Sequence, residues 1–250
     1  MGTSSSEAAH PAPVALLITI DGPAGAGKTT VSRLLAEQLD YRYLDTGALY
    51  RSVAYIILID QIDFEDDAVL TTYLQEVDLT TRPDKNGFRL LWKDQDITDR
   101  IRTPEISMMA SAVSAKPSVR NFLLDMQREM GKNKAIVCEG RDMGTVIFPK
   151  ADIKFFLDAD PRVRACRRYK EMQPKTAVTL EDISRDMVQR DQNDSRRAIA
   201  PLRPADDAIC IDCTDIDPRA VVRQMMARIT PMLKMSAFSS RQQENRPSIR

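Results

Sequence analysis

The sequence is poor in histidine, in net charge and in long apolar runs. His10 is its only histidine, and 36 lysines and arginines balance 36 aspartates and glutamates. A histidine general base in the core and a histidine-containing zinc site are therefore not expected, and neither is a general attraction to nucleic acid. No apolar run approaches the roughly 20 residues of a membrane span, so we do not expect a membrane as a partner. Because the charges balance, we do not expect nucleic acid as a partner either.

The amino-terminal segment and the cysteines favour a cytoplasmic protein. Residues 1–13 are small and polar, lack the charged start and apolar core of a secretory signal, and are expected to be a disordered leader. The pair Cys210-x-x-Cys213 falls inside a strand-like run, whereas a redox pair would begin a helix. We therefore expect buried or partly buried free thiols at Cys138, Cys166, Cys210 and Cys213.

Apolar runs alternate with helical patterns, which predicts a doubly wound α/β fold. Five runs are typical of parallel strands, at 14–20, 41–44, 135–138, 153–157 and 208–211. Helical spacing covers 31–39, 117–131 and 219–234, with Pro117 in a first turn and Gly131 at an end. Residues 77–98 break the alternation, and Asn86-Gly87 predicts a small antiparallel meander there. The polar stretch 236–250 is expected to be a disordered tail.

A phosphate-binding loop is the clearest motif. Gly22 to Thr29 matches G-x-x-x-x-G-K-[ST] without interruption, between an apolar run and a helical pattern. Its glycines let backbone N–H groups converge on phosphate oxygens, and in such loops the lysine reaches the β- and γ-phosphates while the hydroxyl holds Mg²⁺. The expected contacts with the nucleotide are Gly22, Pro23, Ala24, Gly25, Ala26, Gly27, Lys28, Thr29 and Thr30, with Thr29 as the metal ligand.

Three further segments carry the chemistry of a second, acceptor site. Residues 44–51 join a short strand to a helix and offer a hydroxyl and an arginine. Residues 140–145 follow a strand at the carboxyl end of the sheet, where open α/β folds bind ligands. Arg190, Asp194 and Arg197 share one face of a predicted helix. Together with the loop, these segments favour a kinase.

These segments resemble the bacterial-type cytidylate kinases, a branch of the nucleoside monophosphate kinases. The resemblance is carried by 20–28, 44–51, 140–149 and 190–197 and extends from about 15 to 235. It implies a P-loop three-layer α/β fold with a five-stranded parallel sheet, an inserted small antiparallel monophosphate-binding domain and a mobile lid. The implied kinase domain is 14–235, with its core at 14–60, 132–163 and 198–235, the insert at about 61–131, and the lid with its following helix at about 164–197.

The resemblance implies that ATP, with Mg²⁺, phosphorylates CMP or dCMP on a monomeric enzyme. It assigns the acceptor phosphate to Thr46, Arg51 and Arg141, the base to Ser111, Arg120 and Asp142, and the sugar to Asp194, with Arg190 and Arg197 beside the sugar and phosphates. The catalytic residues would be Lys28, Arg141, Arg190 and Arg197. The chemistry agrees, because a carboxylate can accept from the N4 amine of cytosine and arginine forks suit phosphate oxygens.

The lid is expected at 164–179. Arg164, Arg167 and Arg168 follow Pro161 at spacings that place them on one helical face. We expect this basic face to be solvated in the open state, and Arg164 and Arg168 to contact ATP on closure, which would also exclude water.

The residues alone leave other interpretations open. A kinase for another small acceptor, such as another monophosphate or shikimate, would share the loop, although the three base-reading residues argue against it. A GTPase-like switch needs Asn-Lys-x-Asp, but Asn133-Lys134 is followed by Ala135-Ile136, and the D-x-x-G match at 84–87 lies in a predicted hairpin. Arg190, Asp194 and Arg197 could also form a charge ladder within one helix, and Arg141 with Asp142 a structural ion pair.

Overall fold

The computed structural model describes residues 15–85, 87–172 and 178–244. In chain order the strands are β1 (Leu17–Asp21), β2 (Arg42–Asp45), β3 (Leu79–Asp84), β4 (Gly87–Trp92), β5 (Gln95–Asp96), β6 (Ile136–Glu139), β7 (Ile153–Asp158) and β8 (Ile209–Asp212). The helices are α1 (Lys28–Leu39), α2 (Thr46–Ile59), α3 (Asp67–Gln75), α4 (Pro104–Val113), α5 (Pro117–Gly131), α6 (Pro161–Met172), α7 (Leu180–Arg196) and α8 (Pro218–Glu244), and a π-helical turn covers Met143–Ile147.

Five parallel strands form the main sheet in the order β2-β6-β1-β7-β8, which confirms the predicted five-stranded parallel core. The central strand β1 is buried along its whole length, as expected for a strand covered on both faces. Each of the five strands ends on an acidic residue, one position or so beyond the apolar run that predicted it. These terminal residues are Asp21, Asp45, Glu139, Asp158 and Asp212.

Two apolar cores lie on opposite faces of this sheet. On one face α2 and α5 pack with Ile136 and Cys138 of β6, and the core continues into the inserted strands. On the other face α1 and α8 pack with Val137 of the same strand. Successive residues of β6 therefore point to opposite cores, which is the alternation that a central strand requires. The result is a helix–sheet–helix sandwich in which these helices do not cover the carboxyl ends of the strands.

The inserted sheet is antiparallel, in the order β3-β4-β5, which confirms the predicted meander. Its details differ from the prediction. Asp84 pairs with Gly87, so the first connection has only two residues and Pro83 lies in the strand; Asn86 lies outside the described residues. Lys93 and Asp94 both adopt positive φ, the geometry of a two-residue hairpin turn. The third strand is therefore Gln95–Asp96 rather than the predicted 97–98.

The structure changes two predicted helix boundaries and one expectation about the burial of the cysteines. α1 begins at Lys28, three residues before the predicted start, and α8 continues to Glu244, past the predicted end at 234 and into the expected tail. Extending a helix that tertiary packing has already nucleated costs little per residue, so polar composition alone did not end it. Residues 1–14 and 245–250 lie outside the described residues. The cysteines are free as expected, but Cys166 and Cys210 are exposed.

Candidate active site

A cleft of about 820 Å³ opens at the carboxyl edge of the parallel sheet. The loop after β1, the start of α2, the residues after β6 and the inner faces of α4 and α7 line it. Open parallel sheets bind ligands at this edge, because the loops there diverge from strand ends that point the same way. The cleft brings the predicted donor loop and the predicted acceptor residues together.

The phosphate-binding loop packs against the end of the neighbouring strand β7. Gly22 has φ +147°, and a Cβ added there would lie 2.0 Å from the carbonyl oxygen of Leu157. Only glycine fits both constraints. Gly27, with φ +93°, precedes α1 and turns the loop into the helix. The loop is therefore closed around the helix N-terminus, the geometry that its sequence predicted.

Lys28 is held inside this loop rather than in solvent. Its side chain is buried, and its Nζ donates a hydrogen bond to the Pro23 carbonyl oxygen at 2.7 Å. Burial, followed by repulsion from Arg141, lowers the pKa of Lys28 to about 7, while Glu139 opposes that shift. A buried ammonium beside other cations lacks a full counter-charge. It is therefore electrostatically prepared for an anion such as a polyphosphate.

Glu139 is a site residue that the sequence analysis missed. Its Oε1 accepts the hydroxyl of Thr29 at 2.8 Å and the hydroxyl of Tyr43 at 2.5 Å. Its Oε2 is buried and has no hydrogen-bond partner within the described residues. The signal that could have found it is positional: it is the acid that ends the apolar strand next to the phosphate-binding loop.

The surroundings of Glu139 fit a hard divalent cation. The orphaned Oε2 and the Thr29 hydroxyl oxygen, whose proton goes to Oε1, both present lone pairs, and Mg²⁺ prefers oxygen ligands. Among the described residues no group of three His, Cys, Asp or Glu side chains gathers around a metal-sized space. A magnesium ion here would take its other ligands from bound phosphates and water, as is usual for nucleotide-binding sites.

Two of the three residues predicted to read the base, Arg120 and Asp142, meet in a buried ion-pair network. Arg120 donates to Oδ2 of Asp142, and a guanidinium nitrogen of Arg197 lies 3.7 Å from Oδ1 of the same carboxylate. Arg120 and Arg197 also bond to the carbonyl and hydroxyl of Ser114 respectively. α7 ends at Arg196, so Arg197 lies just beyond the helix face that the sequence placed it on. Asp142 thus pairs with these two arginines.

A second network surrounds Asp194. Its Oδ2 accepts from Nε of Arg141 at 3.0 Å and its Oδ1 from the hydroxyl of Ser111 at 3.1 Å. Although burial opposes it, Arg141, Arg190 and Arg197 hold the pKa of this carboxyl below its usual range. Ser111, predicted on the base, therefore bonds to the residue predicted on the sugar. These pairs cross between α4, α7 and the segment after β6, so they are not a ladder within one helix.

The residues predicted to contact the acceptor phosphate already use some of their hydrogen-bond donors within the protein. A guanidinium nitrogen of Arg51 donates to Asp45 at 2.8 Å, which leaves its buried Nε without a partner in the described region. The hydroxyl of Thr46 donates to the Glu139 carbonyl oxygen at 2.7 Å, so its proton is not offered to a ligand. Arg190 carries a buried Nε with no partner among the described residues, and burial followed by Arg141 lowers its pKa to about 10.

The expectation that Arg164 is solvated is wrong. It is buried, and it donates to the carbonyl oxygens of Ala159 and Ala24 at 2.9 and 3.1 Å and to Asp191 at 2.6 Å. The reason is that α6 begins at Pro161, directly after β7, so its first turn lies against the phosphate-binding loop. Arg164 therefore fastens the loop to α7.

The other two arginines of the predicted lid differ from Arg164 and from each other. Arg167 donates to the Cys213 carbonyl oxygen at 2.5 Å, whereas Arg168 pairs with Glu171 and stays partly exposed at the cleft. The predicted lid positions 173–177 lie outside the described residues.

A second missed residue, Asp21, fixes the segment that carries Arg141 and Asp142. At the end of β1, its carboxylate accepts the backbone N–H groups of Met143 and Gly144, each at 2.8 Å. It is buried, and that burial raises its pKa to about 6 in spite of the two hydrogen bonds. The central strand thus holds the π-helical turn, and with it the two charged residues just before it.

The comparisons of sequence with known proteins agree on one family. A sequence model described as cytidylate kinase matches residues 18–231. The cytidylate kinase of Carboxydothermus hydrogenoformans is 41% identical over 84% of this chain and 95% of the relative. That of Thermosipho melanesiensis is 43% identical over 87% and 98%. A shikimate kinase structure from Acinetobacter baumannii matches with a TM-score of 0.44 at 15% identity, over 88% of this chain and 95% of that one, a likeness too low to bear on the acceptor. No described helix has the length and apolarity to cross a bilayer.

The buried carboxyl of Asp21 predicts a pH dependence of stability. Its pKa lies at about 6 in the folded protein against an ordinary 3.8, so between these values the folded state binds more protons than the unfolded state. The free energy of unfolding therefore falls as pH rises through this window. Relative to Asp21→Asn, we expect the wild type to lose roughly 2 kcal/mol between pH 4 and pH 7, measured by urea unfolding. Parallel pH profiles for the two proteins would contradict the assignment.

Proposed function

The chain belongs to the cytidylate kinase family, and we propose that it transfers the γ-phosphoryl group of ATP to CMP or dCMP, releasing ADP and CDP or dCDP. The observation that carries the proposal is the juxtaposition of two sites in one cleft. The phosphate-binding loop with Lys28 lines one side, and the buried Asp142, bonded to Arg120, lines the other. A phosphotransferase needs this arrangement, because donor and acceptor must meet in line.

The donor side is assigned to the loop and its neighbours. The backbone of residues 22–30 surrounds the phosphates, and Lys28 supplies the positive charge nearest the β- and γ-phosphates. Thr29 and Glu139 would hold Mg²⁺, which supplies charge neutralisation across the donor phosphates when it is bound. Partly exposed Arg168 is the predicted lid arginine left to reach ATP, while Arg164 supports the loop from beneath.

The acceptor side accounts for the choice of base. Cytosine presents an N4 amine donor, which the carboxylate of Asp142 accepts, and O2 and N3 acceptors, which Arg120 and Arg197 can donate to. Uracil carries an acceptor in place of the amine, so its O4 would meet a carboxylate instead of a donor. Asp194 and Ser111 are assigned to the sugar, and Arg51 and Arg141 to the acceptor phosphate.

The chemistry itself needs positive charge and not a general base. The attacking oxygen belongs to the acceptor's phosphate and is already anionic, so no side chain has to remove a proton. Lys28, Arg141 and Arg190 all line the cleft. After burial, the charge of Arg141 is the largest cause that lowers the pKa of both Lys28 and Arg190. Negative charge spread over the equatorial oxygens in the transition state would relieve this repulsion, which is the differential binding that accelerates the reaction.

Four further assignments accompany the activity as proposals. The monophosphate-binding insert at about 61–131 would carry the three-stranded sheet, and the lid with its helix at about 164–197 would close over ATP. The family resemblance favours a monomer, which sedimentation analysis tests. The free thiols favour a cytoplasmic location.

We expect steady-state assays to show CMP and dCMP as the preferred acceptors, with UMP weaker and AMP weakest. Asp142→Asn should lower kcat/KM for CMP by about 10- to 100-fold, because one charged hydrogen bond to the base is lost. The dissociation constant for an ATP analogue should stay within about twofold, since Asp142 lies on the acceptor side. These are measured by a coupled ADP assay and by titration calorimetry.

The matched control is Asp125→Asn, an exposed aspartate on α5, the helix that carries Arg120. It should leave both constants unchanged. A clear preference for AMP would overturn the assignment of the base. Equal losses in CMP turnover and ATP affinity for Asp142→Asn would remove that residue from the acceptor site.

Arg190→Met should separate activity from stability. Its guanidinium lacks a partner at Nε and is repelled by Arg141, so removing the charge should leave the free energy of unfolding unchanged or higher. Turnover should fall by about 10³-fold, the scale seen when an arginine at a transferring phosphoryl group is lost. Arg196→Met, an exposed arginine on the same helix, serves as the control. A loss of turnover accompanied by clear destabilisation would instead assign Arg190 a structural role.

A further inference from the structure

Oε1 of Glu139 accepts hydrogen bonds from two hydroxyl groups, that of Thr29 in α1 and that of Tyr43 in β2. We propose that Tyr43 is a positioning residue for the donor site: its hydroxyl holds Oε1 of Glu139, which keeps Oε2 directed at the magnesium–triphosphate position. The proposal rests on the proposed metal site and adds a residue to it from β2, outside every motif in the sequence.

The strand register explains how Tyr43 reaches this carboxylate. β2 and β6 are parallel neighbours, with Tyr43 opposite Val137 and Asp45 opposite Glu139. Tyr43 therefore lies two residues behind Glu139, and a tyrosine is long enough for its hydroxyl to span the difference. The two oxygens are 2.5 Å apart, and both residues are buried, with 6% and 4% of their surfaces exposed.

Because both hydroxyl groups donate to Oε1, Oε2 is the oxygen of Glu139 that remains available for a ligand. A carboxylate with unrestrained final torsion can present either oxygen, but two donors on Oε1 fix the plane of the group. Oε2 is then left buried with its lone pairs unused by the described residues. The Thr29 hydroxyl, having given its proton to Oε1, also has only lone pairs to offer. Tyr43, Glu139 and Thr29 thereby present two oxygen ligands with fixed directions.

Tyr43 is itself held in place by its surroundings. The guanidinium of Arg33 lies 5.3 Å from the centre of its ring, a cation–π contact. On the main-chain side, a Cβ added at Gly87 would lie 2.6 Å from the Tyr43 carbonyl oxygen, so the inserted hairpin packs directly on this residue. The phenol is therefore confined from both sides.

The test is Tyr43→Phe, which removes the hydroxyl and keeps the ring. Calorimetry with the non-hydrolysable ATP analogue adenosine 5′-(β,γ-imido)triphosphate measures the dissociation constant with and without Mg²⁺. We expect the constant with Mg²⁺ to rise by about tenfold or more, the usual effect of losing a group that orients a metal ligand. The metal-free constant should stay within about twofold, because the phosphate-binding loop is untouched.

Two comparisons separate positioning from packing. Tyr41→Phe makes the same change two residues away on the chain, where the hydroxyl accepts the Leu16 N–H; it should leave the effect of Mg²⁺ unchanged. In the double variant Tyr43→Phe with Glu139→Gln, the two losses should not add, since both act through one carboxylate.

Three results would overturn the proposal. They are equal weakening with and without Mg²⁺, fully additive losses in the double variant, and a wild-type affinity that does not respond to Mg²⁺. The last would also remove the metal site. Failure to phosphorylate CMP would appear in the acceptor assays and not here, because the analogue experiment contains no acceptor.

Discussion

Buried charge at the carboxyl edge of the parallel sheet is the constraint on which the rest of the structure depends. Every strand of that sheet ends on a carboxylate, and each carboxylate accepts at least one hydrogen bond. Asp158 and Asp212 are exposed, but Asp21, Asp45 and Glu139 are largely out of contact with water. An acid in that position must find donors nearby, because its desolvation is otherwise too costly. The three acids nearest the cleft find theirs in functional segments: Asp21 fixes the turn after β6, Asp45 fixes Arg51, and Glu139 fixes Thr29.

These pairings leave positive charge in excess where phosphates are expected. Arg120 and Arg141 have carboxylate partners. Among the described residues, by contrast, Lys28 bonds to a carbonyl oxygen and Arg190 has a buried Nε without a partner. Burial lowers the pKa of both, so the protein carries an electrostatic cost that a bound polyphosphate would relieve. Part of the affinity for nucleotides therefore comes from removing repulsion that already exists, and stability is given up at the site to provide it.

The sequence predicted what depends on local pattern. The loop at 22–29, the parallel strands and the helix at 117–131 are short-range signals of spacing, glycine and proline, and the structure reproduces them. It did not predict contacts that depend on where a long side chain points. Arg164 follows the helical spacing expected of it, yet the turn after β7 directs it inward. Glu139 and Tyr43 are distant in sequence and meet only through the register of β2 with β6, which no local pattern encodes.

The anchoring of the first turn of α6 limits how the cleft can close. Arg164 bonds to the phosphate-binding loop and to Asp191 of α7, and Arg167 bonds to the residues after β8. For the proposed lid, a hinge would have to lie beyond these attachments. Within α6 the moving part would then start at about Arg168 and include only the last five residues of the helix, about 8 Å in length. So short a piece of helix would sweep a small arc and bring only one or two of its own side chains towards a bound donor, while the floor of the cleft stays still.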